Sequence, residues 1–160
     1  MSLDPADPDH RELQRILSRL EDDMLGPYVL PGNMLSRNMY KDLPLPWSLS
    51  QPNPFFDQGS FKRHEWDAHG MPSAPDLADG TPGPFLFSET TSPEKLGQGL
   101  GSASMVIRWR EANKEAVKKG EIEDCVDLTV KDLKAVLKDR SGGTFVHAPS
   151  CTLLMMKRAA

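Results

Sequence analysis

The segment His64-Glu65-Trp66-Asp67-Ala68-His69 puts two imidazoles and two carboxylates within six residues, the raw material of a zinc-dependent hydrolase. That chemistry needs its histidines four apart, so that both rings leave one helical face toward a single ion. Here the spacing is five. At about 3.6 residues per turn the second ring is rotated roughly 140° from the first, and prolines flank the stretch, so it reads as a polar anchor. Gly97-Gln98-Gly99-Leu100-Gly101-Ser102 has the look of a phosphate-cradling loop. Serine stands where the dinucleotide fingerprint needs its third glycine, and no Lys-Ser or Lys-Thr pair follows as a triphosphate loop requires. Close backbone packing, or a hinge, accounts for these glycines.

Cys125, His147 and Cys151 are the remaining groups from which a nucleophile and base could be assembled. Two cysteines without paired spacing do not make a structural zinc site, and buried thiols are the simpler reading. Phe61-Lys62-Arg63-His64-Glu65-Trp66 interleaves bases with rings, as single-strand binders do, but Glu65 and Asp67 cancel Lys62 and Arg63. Pro72-Ser73-Ala74-Pro75 has the spacing read by polyproline-binding domains, with no adjacent base to orient it. No catalytic constellation, metal ligand set or cofactor motif emerges, so the chain is expected not to be an enzyme and to carry no cofactor.

The elements that would position these residues differ sharply along the chain. Eleven of the fourteen prolines fall between Pro27 and Pro93, and nine of the eleven aromatic residues lie in the same region. An ordinary disordered linker is poor in aromatics, and exposed rings in such number are a liability. The expectation is an extended strap over 27–91, anchored in pockets of this or another protein by Trp47, Phe55, Phe56 and Trp66. Prolines also restrict the residue before them, so little helix is expected there.

Before the strap, Leu13, Ile16, Leu17, Leu20 and Met24 recur at helical spacing behind Asp9-x-x-Glu12, a capping-box pattern, and Gly26-Pro27 ends the run. This N-terminal amphipathic helix, residues 1–26, needs a surface for its stripe Leu13, Ile16, Leu17 and Leu20, in the chain or in a partner. After the strap, Ser92-Pro93-Glu94 is a helix start weakened by Gly97, Gly99 and Gly101. A firmer helix is expected from about Ser102 to Lys119, stopped by Gly120, and another from Thr129 to about Asp139, capped by Thr129 and stapled by Leu128 and Leu133. Thr144-Phe145-Val146-His147 suits a short strand, and Ser150 a cap for a closing helix through Leu153, Leu154 and Met155.

Leu128-Thr129-Val130-Lys131-Asp132-Leu133-Lys134-Ala135-Val136-Leu137-Lys138-Asp139-Arg140 resembles the first helix of the SAP motif, a short helix-extended-helix module that binds DNA or RNA through basic residues. The likeness covers thirteen residues of 160. It implies a nucleic-acid role for Lys131, Lys134, Lys138 and Arg140. Gly142-Gly143-Thr144 supplies the family's turn, while Met155-Met156-Lys157-Arg158 departs from its second helix.

The bulk numbers fit a polypeptide able to fold. Apolar content is 38%, and twelve glycines added to it bring the chain near the usual range. The net charge of −4 is graded: −4 over 1–26, −3 over 27–91 and +3 over 92–160, which points to ends that attract or a basic tail that meets an acidic partner. The longest apolar run, Leu153 to Met156, is far short of the roughly 20 residues of a membrane span, and the start lacks a signal-peptide core. The expected fold is mainly α with extensive irregular structure: helix 1–26, strap 27–91 and a small helical unit 92–160. The expected function is a non-enzymatic structural or adaptor subunit docking on a larger protein assembly. The alternative is a nucleic-acid-associated protein using the SAP-like helix. The compartment is expected to be cytoplasmic or nuclear, an organelle being compatible.

Overall fold

Leu13, Ile16, Leu17 and Leu20, spaced three or four apart, give one apolar face to helix α1 (His10–Ser18) and to the wider π-helical turn Arg19–Met24 that continues it. The computed structural model describes residues 2–4, 7–68, 71, 73–76, 78, 80 and 83–158. The chain divides into two compact units. The first comprises Met1–Val29 and Ser88–Ala148, the second Leu30–Phe87 and Pro149–Ala160.

In the first unit α1 is joined by α3 (Pro93–Leu100), α4 (Ser104–Lys118) and α5 (Cys125–Leu137). Strand β1 (Ser2–Leu3) and strands β3 (Glu89–Thr91) and β4 (Phe145–Ala148) form an antiparallel sheet in the order β1-β4-β3. Leu13, Ile16 and Leu17 pack with Leu3, Leu133, Leu137 and Phe145. Leu20 enters a second cluster with Val106, Trp109 and Val126. Each such side chain removed from water contributes on the order of 1.5–3 kcal/mol, which is what a short helix needs to persist.

Helix α3 forms through its glycines. Ser92 accepts the backbone N–H of Lys95 at 3.3 Å and Pro93 opens the first turn. Gly97 is required because a Cβ there would stand 2.6 Å from Val130 Cγ2 on α5. Helix α4 ends at Gly120, whose φ of +72° suits a left-handed stop. Helix α5 starts four residues before Thr129. Asp124 Oδ1 accepts the N–H groups of Val126 and Asp127 at 2.9 and 3.3 Å, while Arg110 on α4 donates to both carboxylate oxygens at 2.7 and 3.0 Å. Thr129 lies inside the helix and donates its hydroxyl to Cys125 O at 2.8 Å.

The second unit is built on an antiparallel ribbon of β2 (Phe56–Trp66) and β5 (Cys151–Arg158). Lys62 pairs with Met155, His64 with Leu153 and Trp66 with Cys151, and an irregularity between Asp57 and Lys62 breaks the register. Helix α2 (Pro31–Arg37) starts with proline in its first turn, and Asn33 Oδ1 accepts the Leu30 N–H at 3.0 Å. Met39 and Tyr40 both take positive φ, a costly pair for non-glycine residues. The Arg63 guanidinium donates to both of their carbonyls, at 3.1 Å for Tyr40. Asp67, fully buried and at φ +51°, closes the end of β2. Its carboxylate accepts N–H groups from Ser73 at 3.0 Å, Leu86 at 3.2 Å and Phe87 at 2.9 Å, and its carbonyl accepts the Ser150 hydroxyl at 2.8 Å.

The expected mainly α fold with a proline-rich strap is overturned: among the described residues two antiparallel sheets, holding 18% of the chain, stand beside five α-helices. The proline-rich region holds α2, a 3-10 turn at Pro46–Ser48 and all of β2, because its described prolines sit at element starts and in loops where no ladder donor is lost. The Asp9–Glu12 box does not form. Glu12 pairs with Arg15 at 2.6 Å and Asp9 accepts from Arg140 at 3.1 Å. The closing helix after Ser150 is strand β5, since cross-strand pairing with β2 outweighs the local preference of a short apolar run. The SAP-like turn is therefore followed by β4 and β5 in place of a second helix. Pro72, the first residue of the polyproline-like motif, and His69, the second histidine of the zinc-like motif, lie outside the described residues.

Candidate functional site

Alternation along β5 decides what the ribbon presents. Leu153 and Met155 point to an open face and are 43% and 40% exposed, while Leu154 and Met156 point to the opposite, half-covered face. On β2 the partners of that open face are Lys62, His64 and Trp66. His64 stacks on Trp66 with ring centroids 5.7 Å apart, and Phe87 meets Trp66 edge-on at 6.1 Å. The result is an apolar strip of Met155, Leu153, Trp66 and Phe87. Near the start of β2, Phe55 is 61% exposed and Phe56 is exposed as well.

The covered face carries a shallow cavity of about 170 Å³ lined by Tyr40, Leu43, Leu45, Phe61, Arg63 and Leu154. Trp47 packs edge-on against the lining Phe61 at 5.3 Å. That volume is close to the roughly 150 Å³ of an apolar cavity able to hold a benzene ring, so one aromatic or branched side chain fits. Among the described residues, thirteen large hydrophobic side chains are exposed, and eleven of them belong to the second unit.

The anchors read from the sequence thus part company. Leu13, Ile16, Leu17 and Leu20 are all buried in the first unit's own core. Trp47, Phe55, Phe56 and Trp66 sit in the second unit: Trp47 and Trp66 are half-buried against other rings, Phe55 and Phe56 are bare. Leu153, Met155 and Phe87 had escaped the sequence reading as contact residues. The signal that could have found the first two is the period-two alternation of Leu153 to Met156, which is invisible until a partner strand fixes it.

The basic residues of the SAP-like segment are mostly occupied. Lys131 pairs with Glu123 at 3.0 Å and Lys134 with Glu94 at 2.8 Å. The Lys134 hydrogen bond, with help from Ser92 and the helix start, holds the Glu94 carboxyl down to about 2. Arg140 is gripped by Asp7 and Asp9 and donates to Thr144 O at 3.1 Å. Partial burial works against the Asp7 charge, but the Arg140 hydrogen bond and the Asp9 N–H outweigh it and keep its pKa below the ordinary carboxylate value. Lys138 is exposed. Three of the four cations therefore face carboxylates of the same unit.

Catalytic groupings fare no better. Cys125 is fully buried at the start of α5, where burial, reinforced by Asp124, pushes its thiol up to about 11. Cys151 lies on β5 in the other unit. His147, in the middle strand of the first sheet, is held below its ordinary pKa by burial, with Glu89 partly opposing. Gly97 to Gly101 belong to packed helix α3 and its end. Among the described residues no three His, Cys, Asp or Glu side chains come together as a metal site, and no helix is long and apolar enough to cross a membrane. No protein-family model matches the chain, and no curated protein matches it.

Proposed function

We propose that this chain is a non-enzymatic structural or adaptor subunit that docks on a larger protein assembly through the aromatic and aliphatic surface of its second unit. The observation that carries the reading is the segregation of exposed large hydrophobics. One unit buries the whole α1 stripe and exposes two of the thirteen, Ile107 and Ile122, while the other displays eleven. Scattered apolar residues are normal on a surface, but contiguous ones mark interaction sites. The strip of Met155, Leu153, Trp66 and Phe87 has the composition of an interface core, and Lys62, the cross-strand partner of Met155, that of a polar edge. The cavity beneath offers a seat for one anchoring side chain. The first unit then acts as the stable body that carries this surface. Two free thiols fit a cytoplasmic or nuclear setting, an organelle remaining compatible.

The test is affinity capture from native extract with the full chain, against a Phe55→Ser/Phe87→Ser variant with matching circular dichroism. A protein assembly should co-purify in stoichiometric amount, survive 0.5 M salt and fall at least tenfold with the variant. Apolar contacts persist in salt that screens phosphate binding. A partner set unchanged by the variant, or recovery of nucleic acid alone and only at low salt, would overturn the reading.

A further inference from the structure

The β2–β5 ribbon has two outer edges, and only one is guarded. Among the described residues the two strands pair with each other alone. The edge of β2 is interrupted by the irregular register between Asp57 and Lys62 and carries Lys62, Arg63 and Glu65. Bulges and charges of this kind are how proteins prevent edge-to-edge association. From Cys151 to Met155, the stretch that keeps unbroken register with β2, strand β5 has none of them: no charge, proline or glycine. Its backbone donors and acceptors on that side form an unblocked template.

We propose that the occupant of this edge is a second copy of the chain, pairing β5 antiparallel to β5 about a two-fold axis at Leu154, to give a four-stranded sheet in the order β2-β5-β5-β2. The argument is self-complementarity. A two-fold axis normal to the sheet keeps the faces of both copies aligned, so residues of equal parity must oppose one another. With Leu154 on the axis, Leu153 of each copy faces Met155 of the other on the open face, Thr152 faces Met156, and Cys151 faces Lys157. Two apolar cross-strand pairs form where the exposed residues are, and their strips merge into one.

The charges agree with that register. Lys157 and Arg158 fall beyond the apolar block in each copy, and the two lysines end up six residues apart along the sheet. At about 3.4 Å per residue that is roughly 20 Å, twice the screening length of about 8–10 Å at ordinary ionic strength. Like-charge repulsion is therefore weak. A two-stranded ribbon is also marginal by itself, whereas a wider sheet with an apolar face is stable.

Sedimentation velocity and light scattering of the full chain from low to high micromolar concentration test the pairing. The mass should rise from 17.8 kDa toward twice that value. In the unmodified chain, hydrogen exchange at β5 amides should slow as concentration rises. Leu153→Lys/Met155→Lys should weaken association at least about 100-fold, since lysines then oppose lysines across the axis, and so should Leu153→Glu/Met155→Glu. An equal mixture of the two variants should restore a heterodimer. A chain that stays monomeric with concentration-independent exchange, a dimer indifferent to these variants, or a mixture that fails to pair, would overturn the proposal. The inference does not rest on the docking reading: a monomeric chain that still captures its assembly would sink only the dimer, and a dimer that captures nothing would sink only the docking.

Discussion

Replacing Asp67 tests the account of the second unit most severely. Its buried carboxylate accepts three backbone N–H groups, from Ser73, Leu86 and Phe87, at 2.9–3.2 Å, and so fastens two loop segments to the end of β2. Hydrogen bonds to a charged partner contribute about 1.5–3 kcal/mol each, and a donor left buried without an acceptor costs comparably. Asp67→Ala removes all three acceptor contacts and places a side chain poorly suited to φ +51° there, a further ~1 kcal/mol. The expected loss is on the order of 5 kcal/mol, enough to unfold the unit in a protein of ordinary marginal stability. Asp67→Asn keeps the backbone tolerance and one acceptor oxygen, but turns an amide N–H toward a backbone N–H, so about 2–3 kcal/mol should go. Urea titration followed by tryptophan emission in a Trp109→Phe background reads the unit, since Trp47 and Trp66 both lie in it and Trp109 belongs to the first unit. If Ala and Asn variants both unfold within 0.5 kcal/mol of the parent, the carboxylate is not the fastener described here.

Gly97→Ala should destabilise by about 1–3 kcal/mol despite alanine's better helix propensity, because its Cβ meets Val130 at 2.6 Å. Val130→Ala in the same chain should recover most of that loss, and two independent, additive costs would refute the contact. His147 is depressed by burial below its ordinary value of about 6.5, so the unfolded chain binds more protons as pH falls through that window and stability must fall with it. His147→Gln should flatten the acid limb below about pH 6.5 in a melting series. Asp7 works at lower pH: its depressed pKa gives stability present above about 3.8 and lost as pH falls through the folded value. Arg140→Gln should therefore cost about 2 kcal/mol at neutral pH, and the gap should close below roughly pH 4. A thiol reagent should modify Cys151 in the native protein and reach Cys125 only after denaturation, since the latter thiol is buried with its pKa pushed up to about 11; two equally fast thiols would contradict its place in the core.

What could be read from the sequence was whatever is settled locally. Ser92-Pro93 and Gly120 punctuate α3 and α4 without outside help, and the α1 stripe announces its own burial. Helix α5 was misjudged at its start because Asp124 and Thr129 are both respectable caps. Arg110, fourteen residues away in sequence and on another helix, decides for Asp124. The ribbon was illegible for the same reason on a larger scale. Leu153-Leu154-Met155-Met156 has no period of its own, and β2 carries glycine, charge and aromatics in a proline-rich neighbourhood. Only pairing between the two makes either a strand, and with it the open face that forms the candidate site. The buried Asp67 likewise looked like one member of a polar cluster, since its donors come from segments 6, 19 and 20 residues downstream.

Both compact units are assembled from two separate stretches of chain, and in the ribbon Trp66 comes 85 residues ahead of its partner Cys151. During synthesis at roughly 5–20 residues per second, β2 therefore waits several seconds or more before its partner strand exists. Throughout that interval Phe56, Phe61 and Trp66 belong to a strand with neither edge satisfied. The charges on β2 at positions 62, 63 and 65 thus have a role in time as well as in the finished fold. They protect a nascent strand from sticking to neighbouring polypeptides until β5 arrives. β5 is made late and has no such wait, so nothing of the kind is demanded of it.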